Sequence, residues 1–255
     1  MLATKEIVRS QSGLKTRRRR LGPTGAVVLL GLALLAANFI AQLVLKPSEV
    51  LGLAGMGSTK TPRQTWAELG PAFQSRATRL IAPEFLAALA QVESSGDPFA
   101  GPPWRWRWTT NPLRLYGPAS TAVGLMQITD GNFKQARVLC VKNGRVARDG
   151  PWSDPDACRL TGLYSRLAAA DAIEMTSAFL HLHVSKLLAK TKRKVSVRER
   201  EGLAAVIHLC GPEKGPALVR ANFNADALGS CGEQAVGPYV RQVLRYRAQF
   251  SRMAL

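Results

Sequence analysis

Apolar positions follow two different patterns along the chain. From Gly25 to Leu45 (GAVVLLGLALLAANFIAQLVL) they run on without a single charge. At ~1.5 Å rise per residue, roughly 20 such residues span the hydrocarbon core of a bilayer, so this run predicts a membrane helix. Residues 46–70 are rich in Gly, Ser, Thr and Pro and read as a tether. From residue 71 on, apolar residues recur at helical spacing. A short helix or turn over 71–81 precedes a helix from Pro83, a favoured first helical residue, to a stop at Gly96. Phe85, Leu86, Leu89 and Val92 form its stripe. Residues 97–121 hold Pro98, Pro102, Pro103, Pro112 and Pro118 and read as a long loop. A Gly-containing turn follows at 122–129. The spacing then predicts helices from Thr129 or Asp130 to about Cys140, from Arg166 to Leu188, from a Ser196/Glu199 capping box to Cys210, from Pro216 to Phe223 and from Pro238 to Phe250. Residues 141–163 read as polar and turn-rich. No segment shows a clear period of two, so the class expected is all-α, with four parts: a basic segment 1–24, an anchor 25–45, a linker 46–70 and one globular domain 71–255.

Charge sharpens this picture. Lys and Arg number 35 against 17 Asp and Glu, a net charge of +18. Within the first twenty residues Lys5, Arg9, Lys15 and Arg17 to Arg20 face one acid, Glu6. Positive charge before an apolar span keeps that end in the cytoplasm, which puts the domain on the far side of an inner membrane. Cleavage of a signal peptide near Ala36, Ala37 or Ala41 is the alternative, and both readings export everything after residue 46. Export removes nucleic acid as a partner and leaves an acidic polymer or a lipid surface. It also makes an even cysteine count meaningful. Cys140, Cys158, Cys210 and Cys231 suggest two disulfides. Three connectivities are open, and the local pairs Cys140–Cys158 and Cys210–Cys231 are preferred.

Candidate chemistry is sparse. His181 and His183 lie two apart on one helix and so on different faces; they read as structural. No nucleophile elbow, metal motif, phosphate loop or cofactor signature is present. Trp104, Trp106 and Trp108 alternate with Arg105 and Arg107. Such a run either pins its loop to the core or offers indoles to sugars and guanidinium groups to carboxylates. The remaining signal is Glu93. It shares a helix face with Leu86, Leu89 and Ala90, and a carboxyl on an apolar face is desolvated, which favours its protonated form. That is how a Glu becomes a general acid near neutral pH.

Two further stretches give this carboxyl a context. Glu93-Ser94-Ser95-Gly96, followed by Ala122-Val123-Gly124-Leu125-Met126-Gln127-Ile128-Thr129, resembles the ES…GLMQ signature of soluble-type lytic transglycosylases. Ala204 to Pro212 falls where that family has an AYNAGP motif, and Pro238-Tyr239-Val240 resembles its closing Tyr-Val motif. The resemblance covers roughly residues 80–245. It implies a mostly helical lysozyme-like domain that cleaves peptidoglycan glycan strands without a cofactor or metal. Glu93 would be the single acid/base for the bond between N-acetylmuramic acid and N-acetylglucosamine, leaving a 1,6-anhydro end. Ser94, Met126, Gln127, His208 and Tyr239 would contact substrate or Glu93, and a cell-envelope machine is a further candidate partner. The chain departs from the pattern where His208 and Leu209 replace a Tyr-Asn pair, where Ala235 replaces an acid, and in a longer stretch between the two signatures. Cysteines beside the changed regions suggest a disulfide-braced subgroup. A hydrolase of the same fold, with Asp97 or Asp130 as a second carboxylate, and a non-catalytic glycan-binding protein are the alternatives.

Overall fold

A computed structural model of the chain describes residues 22–47, 50 and 59–254. Most of the basic segment expected over 1–24, and much of the tether expected over 46–70, lie outside these residues. The apolar run forms helix α1, Pro23–Leu45. It is long and apolar enough to cross a membrane once, as a single pass. Most of its side chains face outward, and the exceptions, Asn38 and Gln42, are buried.

The globular part begins with α2, Pro62–Arg76. The Gly, Ser, Thr and Pro content of residues 46–70 split this stretch between a linker and a short helix or turn. The helix runs through Pro71, which lacks only the N–H that it would have donated. A capping box starts it, with Thr61 and Gln64 satisfying each other's backbone N–H groups. Helix α3, Pro83–Ser94, is the centre of the fold. Phe85, Leu86 and Leu89 are fully buried, each stabilising the fold by about 1.5–3 kcal/mol. Ser95, in the left-handed conformation, ends the helix.

Then come the hairpin β1 (Trp104–Trp106) and β2 (Tyr116–Pro118), helix α4 (Asp130–Ala136), and the hairpin β3 (Leu139–Lys142) and β4 (Arg145–Arg148). Helices α5 (Ala169–Leu188), α6 (Val197–Cys210) and α7 (Gly215–Arg220) follow. A small ribbon, β5 (Ser230–Cys231) with β6 (Gln234–Ala235), leads into α8 (Val236–Met253). The domain is mostly helical, as expected, but it carries three short antiparallel hairpins that an all-α reading leaves out. One of these corrects the helix expected from residue 129 to about Cys140. The helix stops at Ala136, and Cys140 lies in β3. The turn between β3 and β4 is Asn143-Gly144, both with positive φ, the pair that a two-residue hairpin turn demands.

Helix α3 packs chiefly on α8 and α2, and α6 closes the core from the other side of α8. Leu125, Met126, Ile173, Met175, Leu180 and Leu203 fill the space between. Two buried acids tie elements across it. Glu174 on α5 accepts from the Val141 backbone N–H at 2.9 Å and meets Arg76 of α2 at 3.3 Å. Glu201 on α6 accepts from Arg247 of α8 at 2.9 Å. Burial pushes the Glu201 carboxyl up, against the pull of that arginine.

The four cysteines form Cys140–Cys158 and Cys210–Cys231. The first fastens β3 to a coil with little packing of its own. Replacing Cys140 and Cys158 together by Ser is expected to lower stability by about 2–3 kcal/mol, since the bond closes only a short loop. Denaturant titration of the two forms measures it, and equal midpoints would show that the coil is held by other contacts.

Candidate active site

Glu93 lies in the last turn of α3, where the helix emerges from the core, and its side chain is 13% exposed. Two elements distant in sequence deliver its partners. The packing of α8 on α3 brings up Tyr239, whose hydroxyl donates a hydrogen bond to Glu93 Oε1. Helix α6 ends beside them, with His208 Nε2 at 3.6 Å from the same oxygen. Tyr239 is 5% exposed. Burial, with Glu93 beside it, raises the phenol well above its ordinary value. It therefore stays a donor at neutral pH, and that hydroxyl holds the Glu93 carboxyl in place. The Cys210–Cys231 bond ties the end of α6, just past His208, to β5 of the ribbon that leads to Tyr239. It thus links the two elements flanking the carboxyl.

The turn at residues 124–127 forms the adjoining wall. Ser94, one residue after Glu93, directs its hydroxyl at the Leu125 carbonyl, 2.8 Å away, and at Ala90 of its own helix, 2.9 Å away. Met126 is fully buried below the turn. The Gln127 amide donates to the carbonyls of Ala100 and Gly124, both at 3.0 Å, and not to Glu93. Ser94 and Gln127 thus act first as fasteners of the turn, while His208 and Tyr239 reach the carboxyl itself.

Sequence reasoning missed the residue that holds this wall in place. Arg166 donates to the carbonyls of Thr121 and Ile128, at 2.7 and 3.0 Å, and pairs with Asp130 at 2.9 Å. Its own backbone carbonyl presses against Gly124. No motif marks it; an arginine in the loop ahead of a long helix carries no signal of its own. Asn132 and Thr176 were missed as well, and they line a small cavity beside His208. The Thr176 hydroxyl is buried without a hydrogen-bond partner among the described residues.

Asp97 and Asp130, the acids near Glu93 and the turn in sequence, are both engaged elsewhere. Asp97 accepts from the Phe99 backbone N–H at 2.8 Å, and Asp130 pairs with Arg166. The histidines of α5 stay out of the site. His181 and His183 are both half-buried, and burial lowers each imidazole, so neither is charged near neutral pH.

The mostly helical domain thus presents the Glu93 carboxyl at the end of a buried helix, next to the Gly-Leu-Met-Gln turn. The family model described as Transglycosylase SLT domain matches residues 71–154, and an SLT domain is thereby identified in this chain. The matched span holds Glu93, Ser94 and the 124–127 turn; His208 and Tyr239 lie beyond it. Neither a curated protein nor a solved structure matches the chain.

Proposed function

We propose that this protein is a peptidoglycan lytic transglycosylase in which Glu93 is the only acid/base. The observation that carries the reading is the setting of Glu93 within the SLT domain: a largely buried carboxyl bonded by Tyr239 and flanked by His208. Protonated Glu93 gives its proton to the glycosidic oxygen as the bond from C1 of N-acetylmuramic acid breaks. The resulting carboxylate then takes the proton from the C6 hydroxyl of the same sugar as that oxygen attacks C1. A 1,6-anhydro ring forms, and water is neither consumed nor released. A hydrolytic route needs a second carboxylate to direct water, and the engagement of Asp97 and Asp130 argues against either in that role. Helix α1 holds the domain on the periplasmic face of the inner membrane, with the basic N-terminus in the cytoplasm. The positive charge beyond residue 20 keeps the domain close to a polymer whose peptides bear carboxylates.

Mass spectrometry of muropeptides released from purified sacculi tests the reaction. Anhydro ends are expected, and products heavier by one water would assign a hydrolase instead. Tyr239→Phe removes the hydroxyl that orients the Glu93 carboxyl, and misplacing a catalytic group costs up to about 10²-fold in rate. Turnover of sacculi is therefore expected to fall about 10- to 100-fold with little change in the unfolding midpoint. An unchanged rate would remove Tyr239 from the site.

A further inference from the structure

The β1–β2 hairpin is not needed to explain the cleavage site, yet the structure joins it to the membrane helix. Asn38, Gln42 and Lys46 follow one another at four-residue steps and share one stripe of α1 and its C-terminal cap. Facing hydrocarbon, each amide would lose its hydrogen bonds to water with nothing in return. Both are buried against the hairpin instead. Asn38 Nδ2 donates to the Tyr116 carbonyl at 2.8 Å, and Gln42 Nε2 to the Leu113 carbonyl at 3.0 Å. Phe39 packs on Trp104, with ring centroids 6.3 Å apart. The fit is close at Gly117, where an added Cβ would come within 3.3 Å of the Gln42 amide.

This contact sets the depth of the hairpin. Asn38 lies about 10 Å along the axis before the end of α1. A bilayer's headgroup layer adds only about 5–8 Å to each side of its hydrocarbon core. A hairpin gripped at Asn38 and Gln42 therefore lies at the level of the headgroups and the upper acyl chains. The side chains it offers suit that level. Trp108 is fully exposed and Trp106 is 65% exposed, as is fitting for indoles that rest at a membrane interface.

Beside them, between the end of α1 and the hairpin, is a cavity of about 340 Å³ whose lining includes Lys46, Arg107 and Arg114 and, among the described residues, no acid. Arg107 spends one donor on the Pro118 carbonyl and keeps others free to bind. Arg105 points away, to Glu233 at 3.1 Å. We propose that this cavity receives the phosphate of an anionic phospholipid from the membrane that α1 crosses, with Trp106 and Trp108 resting among the neighbouring lipids. The planar forks of two arginines match phosphate oxygens, and Lys46 adds a third charge at the height where α1 leaves the bilayer. The hairpin is then a second attachment to the membrane, independent of the reaction assigned to Glu93.

The test uses the full chain in nanodiscs of mixed phosphatidylglycerol and phosphatidylcholine. Native mass spectrometry of the released protein is expected to show phosphatidylglycerol retained preferentially. At about 1 kcal/mol per surface arginine, Arg107→Gln with Arg114→Gln is expected to cut that preference about tenfold or more. Separately, brominated acyl chains are expected to quench the tryptophan fluorescence of the native chain, and Trp106→Phe with Trp108→Phe to remove most of that quenching. Unchanged unfolding midpoints confirm that both variants fold. Equal retention of the two lipids by the native chain, or quenching that survives the tryptophan changes, would overturn the proposal. So would inorganic phosphate protecting the native chain from heat as well as phosphatidylglycerol does. Weakened binding to sacculi with lipid retention intact would also overturn it and assign the arginines to wall peptides.

Discussion

Glu93→Gln is expected to lower cleavage of isolated sacculi by about 10³-fold or more, with the fold intact. The amide keeps the shape and can still accept from Tyr239, but it can neither deliver a proton to a leaving oxygen nor take one from an attacking hydroxyl. General acid and general base contributions run at about 10²–10⁴-fold each, and here one side chain would supply both. The change leaves the buried part of α3 untouched, because Glu93 lies in the last turn of the helix. Turbidity loss of sacculi and release of muropeptides measure the rate, and thermal unfolding with intact disulfides verifies the sample. Cleavage at the native rate by a verified sample would end the assignment of Glu93. Binding to sacculi that persists in both forms, with no bond broken by either, would assign a glycan-binding protein instead.

The second large effect is expected at Gly124, the first residue of the turn against α3. Its φ is +79°, in the region that favours glycine. A Cβ there would lie 2.1 Å from the Arg166 carbonyl oxygen and 3.0 Å from its carbon. Relief needs movement of backbone, and that backbone belongs to the residue whose guanidinium is tied to Thr121, Ile128 and Asp130. Strain and displacement together place Gly124→Ala at about 3–5 kcal/mol of lost stability. Activity is expected to fall as well, because Ser94 loses its fixed partner at Leu125. Gly131→Ala is the control: a Cβ there meets nothing within 4 Å, and Gly131 sits inside helix α4. It is expected to be neutral or slightly stabilising. Equal midpoints for the two variants would show that the turn can shift at little cost.

Most helices were legible because their apolar residues recur every three or four positions and their starts are written in Pro83 and Ser196, whereas the first part of the helix capped by Thr61 reads as a tether. Glu93 was legible as a carboxyl on the apolar stripe of such a helix. The hairpins were not. Their strands run two to four residues, too short for alternation, and β3 is buried on successive residues. One signal was there to be read: Asn143-Gly144 between Leu139-Cys140-Val141 and Val146 is a hairpin turn by its residue types alone. The partners of Asn38 and Gln42 were hidden for another reason. Two amides in a run of more than twenty uncharged residues do not change its hydropathy, and their four-residue spacing acquires meaning only when something polar faces it. The clamp made by Arg166 depends on contacts across some forty positions, which no local pattern encodes.

The bond between Cys210 and Cys231 bears on when the surroundings of Glu93 are fully assembled. It braces the end of the helix bearing His208 against the ribbon that starts the helix bearing Tyr239. A chain that has not yet met an oxidant carries the same Glu93, but the helices bearing its neighbours lack that covalent brace. Thiol oxidation is then a maturation step as well as a brace. Under the reaction proposed for Glu93, a cell short of oxidising power in its envelope would hold the same amount of this protein and cut less wall with it.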